Sequence, residues 1–108
     1  MQSNTTFNSN TDAAIVAMDF NNGVNQKVTV AGNRTLTFSN PVEGATYGIM
    51  IKQDAVGSRT ITWPSTVKWA GGTAPTLTST ASRTDVVYFM YTGSYFVDIA
   101  IVKNYNLA

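Results

Sequence analysis

Short segments of alternating apolar and polar residues, separated by turn residues, are the feature that most limits how this chain can fold. Residues 25–30, for example, put Val28 and Val30 on one side of an extended chain and Lys27 and Thr29 on the other. Similar segments recur at a spacing of roughly ten residues, and no segment shows a helical period. We therefore expect an all-β protein, a single antiparallel β-sandwich that is jelly-roll-like and has eight or nine short strands.

Several pairs of neighbouring segments have the pattern of a β-hairpin. In residues 25–39 the turn is Ala31-Gly32-Asn33, and in residues 85–102 it is Thr92-Gly93, whose glycine permits a tight turn. Alternation in the last strand predicts one face with Tyr95, Val97, Ile99 and Ile101. A further, weakly apolar segment at residues 75–80 suits an edge strand.

The strand predicted over residues 85–91 is apolar on both faces. One face, which includes Val87 and Phe89, suits the core. The opposite and equally apolar face carries Val86, Tyr88 and Met90. Because a two-sheet monomer does not require a second apolar face, we expect these three residues to contact another subunit or another protein.

Residues 53–75 hold both tryptophans and two of the three prolines of the chain. Asp54-Ala55-Val56-Gly57 is expected to form a four-residue hairpin loop in which Gly57 takes a positive φ, and Pro64 is expected to end the next strand or to hold it at a sheet edge. Trp63 and Trp69 therefore lie beside turns, where a tryptophan more often fills a core or a subunit contact than it binds a sugar. We interpret this stretch as a framework element of the domain.

Residues 1–12 are almost entirely polar and are predicted to form an N-terminal arm, with Phe7 as a single apolar anchor. Residues 13–108 then form the β-sandwich domain. The arm is expected to be disordered in the free protein, or ordered only against a neighbouring subunit.

Composition excludes several kinds of function. The chain has no cysteine and no histidine, so thiol chemistry, cysteine zinc sites and the commonest general base are absent. A net charge of +1 without basic clusters argues against nucleic acid. No apolar segment is long enough for a membrane span, and the polar start of the chain lacks the charged and then apolar order of a signal peptide. Asp54, Asp85 and Asp98 are too far apart in sequence for a calcium loop and are expected to cap loops. No metal or cofactor is expected.

The middle and end of the chain resemble a β-rich module that recurs in tailed-bacteriophage virion proteins, at the ends of tail fibres and in small capsid decoration proteins. The matching motifs are Gln53-Asp54, Gly57-Ser58-Arg59-Thr60, Trp63-Pro64, Lys68-Trp69, Gly71-Gly72-Thr73-Ala74-Pro75, Asp85 and Tyr91-Thr92-Gly93-Ser94-Tyr95. The resemblance covers about residues 13–105. It implies a non-enzymatic virion structural protein that is oligomeric and often trimeric.

Two functions follow from the resemblance. The first is a capsid decoration (cement) protein, a homotrimer that binds the major capsid protein or another virion protein through Phe7, Trp63, Trp69 and the Val86 face. The alternative is a tail or tail-fibre tip module that binds a host-surface glycan through Trp69 and Tyr95. Either protein would be made in the bacterial host cytoplasm and would reside in the virion, on the capsid surface or in the tail.

Overall fold

The computed structural model describes residues 6–107 and is built almost entirely of β-strands. Two single 3₁₀ turns, at Phe20–Asn22 and Ala70–Gly72, are the helical elements of this part of the chain. The strands are β1 (Phe7–Ser9), β2 (Ile15–Asp19), β3 (Asn25–Val30), β4 (Arg34–Ser39), β5 (Thr46–Gln53), β6 (Ile61–Thr62), β7 (Val67–Lys68), β8 (Arg83–Tyr91) and β9 (Phe96–Asn106). The all-β prediction is therefore confirmed.

The first six strands alternate between two sheets, so that each pair of successive strands forms one turn of a helical path, which we call a coil. One sheet has the order β1-β3-β5-β8-β9-β7, and the other has the order β2-β4-β6. The neighbours β1 and β3, β3 and β5, β2 and β4, and β4 and β6 are all parallel. Each coil thus contributes one strand to each sheet, and the side chains that point inward from both sheets share one core.

This winding corrects the prediction of an exclusively antiparallel, jelly-roll-like arrangement. The expected hairpins at residues 25–39 and at the loop of residues 54–57 are also wrong, because β3 and β4, like β5 and β6, lie in different sheets, and residues 31–33 and 54–60 form corners between them. Alternation specifies which side of a strand faces the core, and a hairpin and a corner satisfy it equally. Hydrogen bonds to other coils fix the corner at residues 31–33. Ala31 N–H donates to Asp12 Oδ2 at 3.2 Å, and Arg34 N–H donates to the Thr60 carbonyl at 2.9 Å.

The second half of the chain contains the antiparallel pairs. β8 pairs with β5 and with β9, and β7 lies parallel to β9 at the sheet edge. The predicted hairpin between the last two strands is confirmed, although its connection spans residues 92–95 rather than two residues.

The predicted face of β9 is wrong. Val97 lies opposite Met90 on the outer face, whereas Phe96 is buried and Ile101 lies opposite Val87 on the core side. The register shift between Tyr88 and Phe89 inserts Ile99 as an extra residue, and such a bulge reverses the alternation beyond it. Residues 75–80, predicted as an edge strand, pair with no strand.

Aromatic rings fill much of the interior. Phe89 is fully buried and lies 5.4 Å from Trp69, 5.6 Å from Trp63 and 6.0 Å from Phe38, measured between ring centroids. Both tryptophans therefore pack against the core, one of the two positions expected for them, and each keeps part of its surface exposed.

Hydrogen bonds of Gln26 hold the N-terminal residues against the six-stranded sheet. Its buried side chain accepts hydrogen bonds from the amides of Asn8 and Asn10, both at 2.9 Å, and donates to the carbonyls of Asp19 at 3.2 Å and Gly23 at 2.9 Å. These bonds use the full capacity of the amide. Residues 7–9 of the predicted arm thus form β1 on this chain's own sheet, while residues 1–5 lie outside the described residues.

Candidate functional site

A cleft of about 300 Å³ opens between β6 and the extended segment at residues 74–79. β6 lies at an edge of the three-stranded sheet, and the segment forms the opposite wall. Residues that line the cleft include Arg59, Ile61 and Trp63 on one wall and Pro75, Thr76 and Leu77 on the other. The volume is at the lower end of the range found for small-molecule sites.

The loop at residues 54–57 closes one end of the cleft. The Asp54 carboxylate accepts hydrogen bonds from the N–H groups of Val56 at 3.2 Å and Gly57 at 3.0 Å, and Ser58 N–H donates to the Ser79 carbonyl at 2.7 Å. Gly57 has a φ of +78°, and a Cβ placed there would lie 2.6 Å from the Ser79 carbonyl oxygen. Glycine is therefore required both for the backbone conformation and for the close approach of the two walls.

Gln53 holds the two walls at a fixed separation. Its buried amide donates to the carbonyls of Arg59 at 3.0 Å and Thr78 at 3.1 Å, and it accepts a hydrogen bond from Arg59 N–H at 3.0 Å. Asp85, also buried, accepts from Thr78 N–H at 2.6 Å. The cleft is therefore preformed by buried polar side chains of β5 and β8.

Trp63 supplies a half-buried aromatic surface on one wall. Its ring meets Trp69 edge-on at 5.2 Å and Phe89 at 5.6 Å, so the inner side of the indole is packed against the core. A ring held in this way loses little conformational freedom when a ligand contacts its outer side.

The charged residues at the closed end of the cleft are paired. Arg59 donates two hydrogen bonds to Asp54, at 3.2 and 2.9 Å, and these bonds and those from Gly57 and Val56 lower the pKa of Asp54 to about 2. Arg34 pairs with Asp12 at 2.7 Å, and this hydrogen bond lowers the pKa of Asp12. The formal charge of each pair is zero.

A second surface of interest is the outer face of the six-stranded sheet, the side that points away from the core. We use "outer face" for its apolar centre, which consists of Met50, Val86, Tyr88, Met90, Val97 and Val102. Register places Val86 opposite Met50 and Val102, and Tyr88 opposite Gly48. A Cβ at Gly48 would lie 2.9 Å from the Tyr88 ring, so the glycine lets the tyrosine lie over the sheet. Met90 and Val102 are 38% and 43% exposed, which leaves an apolar surface uncovered in the single chain.

The structure separates the residues that the sequence suggested for glycan binding. Trp69 packs against Trp63 and does not line the cleft. Tyr95 is 48% exposed in the turn between β8 and β9, where Lys68 Nζ lies 5.3 Å from its ring centroid. Phe7 lies on β1 at the sheet edge.

Sequence reasoning missed most of the cleft. Arg59 and Pro75 belong to the motifs Gly57-Ser58-Arg59-Thr60 and Gly71-Gly72-Thr73-Ala74-Pro75, but neither motif indicates a cleft between them. Leu77 carries no comparable signal, because its segment is positioned by long-range hydrogen bonds of Gln53 and Asp85 to Thr78.

The expectation that Asp54, Asp85 and Asp98 cap loops is confirmed, since Asp98 likewise accepts a hydrogen bond, from Ala70 N–H at 2.8 Å. Across residues 6–107, no group of three or more His, Cys, Asp or Glu side chains is arranged to hold a metal ion. In the same range, no helix has the length and apolar character needed to cross a membrane.

One family of proteins matches most of this sequence. The family model described as "Putative phage tail fibre C-terminal domain" matches residues 4–95. No curated protein and no solved structure matches the chain.

Proposed function

Because the chain belongs to the phage tail fibre C-terminal domain family, and so is a structural module of the virion, we propose that it binds a glycan on the host surface. The observation that carries this proposal is the preformed cleft in which Trp63 faces a wall of Pro75 and Leu77, with hydroxyl groups of Ser58, Thr60 and Thr76 around it. Sugar rings have apolar C–H faces, which the aromatic and apolar side chains of the cleft can contact, and polar edges, which its hydroxyl groups can bind.

The family favours the tail-fibre alternative over the capsid decoration protein, which no comparison supports. Placement at a fibre tip is part of our proposal. Recognition of a glycan requires no catalysis, so we propose a binding role without enzymatic activity.

Binding of the labelled protein to host cells tests the proposal. Trp63→Leu removes the aromatic surface of the cleft, whereas Tyr95→Leu removes an exposed aromatic side chain outside it and serves as the matched control. We expect Trp63→Leu to weaken binding about tenfold, as loss of a ring contact of about 1.5 kcal/mol implies, and Tyr95→Leu to bind normally. The opposite pattern would move the glycan to the turn at residues 92–95, and equal binding by both variants would refute the cleft as the site.

We propose in addition that copies of the chain associate through the outer face, in a homotrimer. The support is the uncovered apolar surface around Tyr88 and Met90, because such patches commonly mark interaction sites. Light scattering after size exclusion measures the mass directly. Met90→Lys would place a charge in the interface and shift the protein toward monomer, and a wild-type monomer at micromolar concentration would contradict the proposal.

A further inference from the structure

We infer that the ligand of the cleft is an uncharged glycan that binds at the free edge of β6 and bonds to the backbone of Ile61. This inference rests on the proposed function and adds the ligand class and its main contacts. Three features carry it: the neutral charge of the cleft, the backbone groups of β6 and the arrangement of apolar side chains.

The charge of the cleft argues against an acidic sugar. Arg59 is the charged residue among those that line it, and the Asp54 carboxylate already accepts two hydrogen bonds from its guanidinium group. A carboxylate or sulfate on the ligand would compete with Asp54 for the guanidinium and would lie close to a like charge. A sugar hydroxyl meets no such repulsion, and it can accept from the guanidinium N–H groups that Asp54 leaves free.

The backbone of β6 offers an unused pair of hydrogen-bonding groups. In the parallel register with β4, Arg34 lies opposite Ile61 and Thr35 lies opposite Thr62, and Arg34 N–H donates to the Thr60 carbonyl. Thr60 and Thr62 therefore turn their backbone groups toward β4. Because successive residues of a strand direct these groups to opposite sides, the N–H and C=O of Ile61 point away from β4, on the side of the cleft.

An adjacent donor and acceptor suit a sugar, because each hydroxyl both donates and accepts. They also suit a peptide that adds as a strand, but strand addition depends on a run of main-chain bonds. β6 consists of two residues, so it offers one such pair rather than a ladder. Together with Trp63 and Pro75, which can contact the apolar faces of sugar rings, the short edge favours a glycan.

Titration with defined oligosaccharides tests the ligand class. Neutral hexose oligosaccharides and acidic ones (uronate or sialic acid) are added to the labelled full chain in 50 and 500 mM NaCl. We expect saturable binding of neutral oligosaccharides with less than a twofold change between the two salt concentrations, because no net charge needs to be screened. Binding restricted to acidic sugars and weakened by salt would overturn the inference while leaving a glycan-binding cleft intact. Absence of saturable binding of the wild-type chain to host cells would instead remove the proposed function itself.

The backbone contact has its own test. Ile61→Pro removes the N–H that points toward the cleft, and Ile61→Ala is the matched control, since both variants lose the same side-chain packing. Proline is tolerated at this position because the ladder with β4 does not use the Ile61 N–H. We expect Ile61→Pro to bind about fivefold more weakly than Ile61→Ala, the effect of one hydrogen bond.

A readout on the wild-type protein covers the case in which Ile61→Pro fails to fold. On titration with the neutral oligosaccharide, the amide resonance of Ile61 and the indole N–H resonance of Trp63 should shift together. Shifts confined to residues outside the cleft, equal affinity of the two variants, or binding of an extended synthetic peptide in preference to every oligosaccharide would each overturn the inference.

Discussion

Replacing Gly57 by alanine tests whether the two walls of the cleft approach too closely at residue 57 to accommodate a side chain. Gly57 has a φ of +78°, and an added Cβ would lie 2.6 Å from the Ser79 carbonyl oxygen and 2.8 Å from the Ala81 backbone nitrogen. Because these neighbours are backbone atoms, they cannot rotate away as a flexible side chain would. Gly44 has nearly the same φ of +82° but no atom within 4 Å of its added Cβ, so Gly44→Ala is a matched control.

The two substitutions share one cost and differ in another. The left-handed conformation costs alanine about 1–2 kcal/mol, and the reduced entropy of the unfolded chain returns about 0.4–1 kcal/mol. Gly44→Ala should therefore lower the free energy of unfolding by about 1 kcal/mol. Gly57→Ala adds the steric conflict with the opposite wall, about 1–3 kcal/mol, for a total of about 2–4 kcal/mol.

Urea denaturation measures both effects. With a slope of about 2 kcal/mol per M, the unfolding midpoint should fall by about 0.5 M for Gly44→Ala and by about 1–2 M for Gly57→Ala. Equal midpoints for the two variants would refute the argument that the cleft walls approach too closely for a Cβ.

Three further predictions concern the polar and aromatic groups around the cleft. Gln53→Ala should lower the free energy of unfolding by about 2–4 kcal/mol in urea titration, because it leaves partners on both walls without their hydrogen bonds; a loss below about 1 kcal/mol would show that the amide does not hold the walls. Phe89→Ala should cost about 3–5 kcal/mol in the same assay, whereas Tyr95→Ala, at an exposed site, should cost less than about 1 kcal/mol. The pKa of Asp54 is lowered to about 2, mainly by the hydrogen bond from Arg59. The unfolded state therefore binds more protons than the folded state between about pH 4 and pH 2, and the stability that Asp54 contributes falls as the pH drops through this range. The urea midpoint of Asp54→Asn should vary less with pH in that range than that of the wild type, and parallel profiles would contradict this role of the pair.

The sequence predicts the strands better than their partners. Val28 and Val30 lie on one face of β3, as predicted, and both are buried in the core, because burial follows alternation along a single strand. Sheet membership depends on where the chain goes at residues 31–33, and the bonds that decide this come from Asp12 and Thr60, which belong to other coils. Parallel pairing of distant strands leaves no local pattern in either strand.

The face of β9 and the opposite wall of the cleft also differ from expectation, for reasons that the pattern of apolar and polar residues does not show. The extra residue Ile99 exchanges the faces of β9, and no residue type announces a bulge there. The opposite wall of the cleft is placed by the side chains of Gln53 and Asp85. Gln53 was recognised as part of a motif, but the position of its partner Thr78 is a property of the folded chain.

In the coiled path of the first six strands, the corners tolerate changes in length that the core strands do not. The corner from β3 to β4 uses three residues, 31–33, whereas the equivalent corner from β5 to β6 uses seven, 54–60, and the parallel registers on both sides are regular. A corner can therefore lengthen without moving any core side chain. The longer corner is the one that borders the cleft. Under the proposed function, changes in host range would accumulate by insertion and substitution within this corner at positions other than Asp54 and Gly57, whose hydrogen bonds and close backbone contacts the fold requires.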